Sequence, residues 1–188
     1  MIRISHSHPL RIAELPVGTS GGAIGVTFAP GKHQANAMTG QWARDLDVDL
    51  VAIRDWGATS LISLIEPWEF AELSITALPV RASAHGLRWH GLPITDGAAP
   101  DERLLEAWPS LSPVLVRELL SGKRVVVHCK GGLGRAGTVA CMLLLDCGAA
   151  DSAEEAMYWV RTARPGAVET AAQEHFLRDW SQNRSLSR

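Results

Sequence analysis

Cysteine is scarce in this chain: Cys129, Cys141 and Cys147 are the only ones in 188 residues. An odd, sparse set does not staple a small secreted domain; it points to reduced thiols in a cytoplasm. The absence of a Cys-x-x-Cys pair removes a dithiol redox centre. Long apolar runs are missing too. None approaches the roughly 18 residues of a membrane span, and "MIRISHSHPLRIAEL" lacks the apolar stretch that follows the basic start of a signal peptide. Neither charge sign dominates. Eighteen Lys and Arg stand against 20 Asp and Glu, a net charge of -2. Nothing global draws the chain to nucleic acid or to an anionic membrane, so neither is expected as a partner and any anion site is local. His6, His8, His33, His85 and His90 show no tight ligand spacing, so no metal and no cofactor are expected. The seven tryptophans accompany no basic stripe and read as core and rim.

Apolar residues make up 46% and charged residues 20%, the composition of an ordinary soluble protein. The length fits one domain over 1–188 with a sizeable core, and the end at 183–188, "NRSLSR", reads as frayed. "RIAEL" and "AIGVTFAP" read as strands joined by the turn "GTSGG". Thr39 is placed to cap a helix over "GQWARDLDVDLVAIRDW", with Trp42, Leu46, Leu50 and Ile53 on one stripe. "TSLISLI" and "GLRWHGLPI" read as strands and "PWEFAEL" as a short helix. Residues 101–121 have a helical pattern that Pro109 and Pro113 should break or kink. "RVVVHC" is a buried strand, followed by the apolar helix "AGTVACMLLLDCG" carrying Cys141 and Cys147 as packing residues. Two amphipathic helices close the chain, the first opened by Ser152 with Glu155. Helices alternating with short buried strands give an α/β class with a central, mainly parallel sheet.

The chemistry concentrates in "VVVHCKGGLGRAGT". A strand that passes through a glycine loop into a helix holds an anion, because loop N–H groups and the helix N-terminus point at it. Gly131, Gly132 and Gly134 permit the close approach, and Arg135 offers a planar fork for two phosphate oxygens. Cys129 shares that field, which favours thiolate; a thiolate facing a tetrahedral anion is a nucleophile. The loop is not a nucleoside-triphosphate loop, since Gly134-Arg135-Ala136 stands where Gly-Lys-Ser/Thr is required.

His128-Cys129, "KGGLG" and Arg135 resemble the His-Cys-x5-Arg signature of cysteine-based protein phosphatases. "WHGLPITDGAAPDE" is similar to the general-acid loop of the kinase-associated phosphatases, a dual-specificity group acting on cyclin-dependent kinases. "RPGAVETAAQEHFLRDW" resembles their C-terminal helix region and "IGVTFAPGK" their N-terminal part. The similarity covers most of residues 24–180. It implies the cysteine-based phosphatase fold and hydrolysis of phosphotyrosine, phosphoserine or phosphothreonine through a cysteinyl-phosphate. Cys129 is then the nucleophile, and the loop Lys130, Gly131, Gly132, Leu133, Gly134 and Arg135 holds the phosphate. Asp96 directly follows a strand and is the general acid; Asp101, its rival, is explained by helix capping. Gln173 aligns with a glutamine that positions water, although a glutamine on an amphipathic helix is ordinarily just solvated. His128 aligns with a buried partner that tunes the cysteine, a place where a structural role serves as well. Lys130 meets substrate charge or solvent. Lys32, a surface residue by default, recruits phosphate if the N-terminal strand folds over the site. The resemblance implies a phosphoprotein substrate, with a kinase as one candidate, and says nothing of oligomeric state.

One departure stands out. The family has Ser or Thr after the arginine, where its hydroxyl helps expel sulfur, and this chain has Ala136. That keeps open a phosphate-binding module with little turnover. A rhodanese-like sulfurtransferase, which also holds an anion in a cysteine loop, is a third reading, but it has no use for Asp96.

Overall fold

The computed structural model describes residues 2–186. β1 (Ala13–Val17) and β2 (Gly22–Thr27) form the expected hairpin. β2 then pairs in parallel with β7 (Arg124–His128), which continues in parallel to β5 (Ala58–Ser63) and β6 (Arg88–Gly91). The order is β1-β2-β7-β5-β6, with only β1 antiparallel. Val125, Val126 and Val127 are fully buried, each contributing about 1.5–3 kcal/mol relative to exposure. The unbroken apolar run of β7 therefore reflects a central strand covered on both faces.

The helices are α1 (Leu46–Asp55), α2 (Pro67–Glu72), α3 (Leu78–Ala84), α4 (Glu102–Leu120), α5 (Gly134–Asp146), α6 (Ala153–Ala163) and α7 (Ala171–Leu186). α5 is buried along its length from Gly134 to Leu145, packed on β2 and β7 and enclosed by α4, α6 and α7. Cys141 is buried in this helix, and burial pushes its thiol up to about 12. α1 and α3 cover β5 and β6. Gly22 abuts Leu119 of α4, whereas Gly25, on the opposite face of β2, abuts Trp56 at the end of α1. The sheet thus lies between two helical layers.

Three expectations need correction. Thr39 caps no helix. Residues 38–43 turn at Gly40 and run back as β4 (Gly40–Ala43) against β3 (His33–Ala37), and Trp42 sits on that strand. The Arg3 backbone exchanges hydrogen bonds with Gln41 and Ala43, extending this small sheet. α1 begins at Leu46, and its cap is Asp45, which accepts from the Val48 N–H at 2.9 Å. Second, α4 runs unbroken through Pro109 and Pro113. Four residues apart, both lie on the exposed face, where the carbonyls that lose a partner meet water. Third, α3 has no counterpart in the sequence reading; it is short and opens on Leu78-Pro79. α7 continues through Leu186; of the segment 183–188 expected to fray, 187–188 lie outside the described residues.

Candidate active site

The register sets Thr27, His128 and Ser63 side by side, with Gly91 next to Ser63. The parallel strands therefore end together, and the loop after β7 opens at their carboxyl ends, where open α/β sheets bind ligands. Every carbonyl of the loop from Lys130 to Leu133 is held from outside. Lys130 O accepts from the Ala29 N–H and from Lys32 Nζ, both at 3.3 Å. Arg164 donates to the Gly131 and Gly132 carbonyls, each at 3.0 Å. Leu133 O accepts from the N–H groups of Gly137 and Val168. A planar trans peptide points its N–H opposite its carbonyl. The amides of Gly131, Gly132, Leu133 and Gly134 consequently turn inward, beside the unpaired first-turn amides of α5. The Gly132 amide donates to Cys129 Sγ at 3.2 Å. Gly132 has φ +70°, and a Cβ there would lie 2.5 Å from the Thr27 backbone, so this position requires glycine.

Arg135, the second residue of α5, is 1% exposed. Its terminal nitrogens donate to the Glu69 carboxylate at 2.6 and 3.0 Å, and one also donates to Ile94 O at 3.1 Å. Its buried Nε has no partner among the described residues. Asp96 reaches to 3.3 Å of the same guanidinium while remaining 70% exposed. A cavity of about 350 Å³ collects Cys129, Lys130, Gly131, Leu133, Asp96 and Lys32 in its walls.

Lys32 is 5% exposed and lies 5.0 Å from the Phe28 ring and 4.9 Å from the Trp42 ring. Burial brings its pKa down from 10.5 to about 8, against the pull of the nearby Cys129 and helped by Arg44, Lys130 and Arg164. His128 is fully buried, and desolvation holds its pKa at about 4. Its Nδ1 lies 3.1 Å from the Cys129 carbonyl, which only accepts, so Nδ1 carries the proton. Nε2 then accepts from the Ser63 hydroxyl at 2.6 Å, and Ser63 in turn accepts from Trp89 Nε1 at 2.8 Å.

Residues 80–177 match the family model described as the Swiss Army Knife protein, DSP-PTPase phosphatase domain. The chain belongs to this phosphatase family. It is 31% identical over 116 residues to protein tyrosine phosphatase type IVA 2 of Mus musculus, across 61% of this chain and 62% of that protein. The chain thus spans 62% of the length of that relative, less than two thirds. Cyclin-dependent kinase inhibitor 3 of Homo sapiens is 27% identical over 158 residues, across 77% of this chain and 73% of its own. The crystal structure of kinase-associated phosphatase with its catalytic-site cysteine replaced by serine superposes with a TM-score of 0.80. That likeness, at 23% identity, covers 94% of this chain and 97% of that one, and it shows the fold.

Of the expected residues, Cys129, Asp96 and Lys130 line one cavity, and Arg135 lies behind it in contact with Asp96. Asp101 does not join them. It accepts from the Arg103 N–H at 3.0 Å as the cap of α4 and pairs with the Arg103 side chain. Gln173 is not a solvated helix residue. It is fully buried, accepts from the Glu169 and Thr170 amides, and donates to Ala98 O at 3.2 Å. Thr170 Oγ1 donates to Gly97 O at 3.0 Å. These two side chains therefore tie down the carbonyls that follow Asp96. On the other side Thr95 donates to Glu66, which also binds the Arg103 fork. His128 meets the backbone of Cys129 rather than its sulfur. Lys130 pairs with Glu72 at 3.1 Å, in place of a purely solvated side chain. Thr138 donates to Gly134 O at 2.7 Å, so its hydroxyl does not serve the sulfur. Lys32 is no surface residue.

Sequence reasoning missed Glu69, Arg164 and Glu169. Glu69 had a signal: a carboxylate at the third position of a Pro-initiated helix, within the sequence "EPWEF". It accepts from the Glu66 amide as well as from Arg135. Arg164 entered only as the first residue of "RPGAVETAAQEHFLRDW". Glu169 lines the cavity, close enough that a Cβ on Gly134 would lie 2.4 Å from its Oε2.

Proposed function

We propose that this protein hydrolyses phosphomonoesters of phosphoproteins through a cysteinyl-phosphate. The observation that carries the reading is the ring of inward amides closed by Arg135, whose buried Nε–H has no partner among the described residues, with Cys129 Sγ on the same loop. The ring and the guanidinium take the three non-bridging phosphate oxygens as charge spreads over them. Cys129 sulfur attacks phosphorus, the bond from phosphorus to the leaving oxygen breaks, and Asp96 passes its proton to that oxygen. In the second step water attacks phosphorus, gives its proton to the Asp96 carboxylate, and the thiolate departs. Lys32 adds positive charge beside the sulfur, and Glu69 fixes the plane of the Arg135 fork.

A single domain over the whole chain, working in a reducing cytoplasm without nucleic acid or membrane, fits three free cysteines. Among the described residues no helix is long and apolar enough to cross a membrane. The similarity to cyclin-dependent kinase inhibitor 3 makes a phosphorylated kinase one candidate substrate. Cys129→Ser is the deciding variant. Turnover of p-nitrophenyl phosphate should vanish while tungstate still binds, because the ring does the holding and sulfur does the chemistry. Normal turnover in that variant refutes a covalent intermediate, and phosphate release by neither protein leaves only a binding module.

A further inference from the structure

The Trp89 indole serves two structures at once. Its Nε1 donates to Ser63 Oγ at 2.8 Å and so heads the line through His128 to the Cys129 carbonyl. Its ring also walls a groove of about 450 Å³ that shares no residue with the cavity at Cys129. That volume falls within the roughly 300–1,000 Å³ of small-molecule sites. α2 gives the groove Pro67 and Phe70, α3 gives Pro79, and β6 with the segment after it gives Trp89, Gly91 and Pro93. Residues two apart on a strand face the same way. Gly91 has no side chain, so the indole lies across it; a Cβ there would stand 2.5 Å from the ring. The Phe70 ring meets the indole edge-on, with centroids 6.3 Å apart and planes at 73°.

The lining selects its occupant. No wall residue is charged, so an ion placed here would lose hydration and gain no counter-charge. Both rings are only half-buried and offer aromatic surface. Apart from the Trp89 Nε1 already given to Ser63, the one polar side chain of the wall is Thr76, whose hydroxyl has no partner among the described residues. The same walls belong to elements that hold the chemistry. α2 carries Glu69, which grips Arg135, and Pro93 precedes Ile94, whose carbonyl accepts from Arg135.

We propose that this groove binds an uncharged aromatic molecule with one hydrogen-bonding group, and that the occupant slows the reaction at Cys129 by drawing the Trp89 indole off Ser63. A guest stacked on the indole competes with the short reach of Nε1, and Gly91 offers no side chain to hold the ring in place. The element that both sites bias is the indole itself, which is the physical requirement for coupling between them. The binding stands by itself; the effect on rate rests on the phosphatase reading above.

The probe is 2-naphthol near neutral pH, where it is uncharged. Calorimetry with native protein should show one saturable site that tungstate does not displace. Thr76→Lys, at an exposed position, should abolish binding and keep the basal rate within about twofold. Thr76→Val, which removes only the hydroxyl, should weaken binding roughly two- to tenfold, the worth of one neutral hydrogen bond. Saturating 2-naphthol should lower kcat on p-nitrophenyl phosphate by a similar factor and leave KM unchanged. Trp89→Phe keeps a ring without the N–H. It should still bind the probe, start from a lower kcat and show no further loss. The indole N–H resonance of Trp89, identified by its disappearance in Trp89→Phe, should move on binding, which reads the coupling even in a chain without turnover. Absence of saturable binding overturns the site, as does binding that Thr76→Lys leaves intact. Displacement by tungstate overturns it in favour of the catalytic cavity. Equal affinity for 2-naphthoate overturns the uncharged ligand. An unmoved indole resonance, or a loss of kcat that persists in Trp89→Phe, overturns the coupling. Self-association of the native chain that 2-naphthol reverses overturns the small-molecule assignment in favour of a second copy.

Discussion

Glu69 grips both terminal nitrogens of Arg135, and each of the two side chains is 1% exposed. The pair orders the guanidinium before any anion arrives. Removing one partner of a buried pair strands the other charge, which typically costs about 3–5 kcal/mol. Glu69→Ala should therefore lower unfolding stability by roughly that amount in urea titrations. Glu69→Gln, which keeps an acceptor and the shape, should fold and yet bind tungstate more weakly. Native-like stability in the alanine variant would show that Arg135 finds another partner.

Lys32 gives a pH signature of defined sign. Its pKa is about 8 in the fold against 10.5 in its ordinary state. Between those values the unfolded chain keeps a proton that the folded chain has released, so stability rises with pH across that window, by about 3 kcal/mol for the full shift. Lys32→Met should be the more stable protein near pH 7 and lose that advantage by about pH 10.5. Phosphate affinity of the native protein should fall as pH rises through about 8, and the variant should lack this step. Urea unfolding and phosphate titration at the two pH extremes check both.

Asp96 and Asp101 separate by leaving group. Asp96→Ala should slow phosphotyrosine and phosphothreonine peptides by roughly 10²–10⁴-fold and activated aryl phosphates far less. Asp101→Ala should cost about 1 kcal/mol as a lost helix cap with no dependence on the leaving group. Glu169→Gln, the other carboxylate at the cavity, is the control. If it carries the leaving-group dependence, the acid is misassigned.

Ala136 should make the second step slow. Thr138 spends its hydroxyl on Gly134 O, so it offers the departing sulfur no hydrogen bond. Rapid-quench kinetics of the native protein should show a burst of product before a slower steady state. Ala136→Ser, adding a donor worth roughly ten- to a hundredfold in the breakdown step, should shrink the burst and raise turnover. An absent burst together with an unchanged variant would place the slow step elsewhere.

The sheet, the glycine loop at its carboxyl edge and the placing of Asp96 beside that loop were legible because each leaves a local mark: the apolar run of β7, glycines at fixed offsets, a carboxylate just past a strand. What escaped is what tertiary contact decides. The stripe that includes Trp42 looks helical in one dimension, but the Arg3 backbone recruits the same residues into a sheet. Pro109 and Pro113 argue against a helix until their common exposed face is known. Gln173 sits on a polar helix segment and is buried between Ala98 O, to which it donates, and Gly134 at the start of α5. Glu69 and Arg164 lie far in sequence from the loop they support, and no spacing rule links them to it.

The hydrogen-bond line from Trp89 through Ser63 to His128 runs in one direction and has no slack for an extra proton. A proton landing on Nε2 would face a hydroxyl already turned toward it, inside a dry core. With its pKa near 4 against the ordinary value of about 6.5, His128 withdraws support from the fold as pH falls from 6.5 toward 4. Acid therefore weakens the fold at the strand end from which the loop departs. A medium that acidifies from pH 6.5 toward 4 would thus loosen the scaffold on which the loop is built.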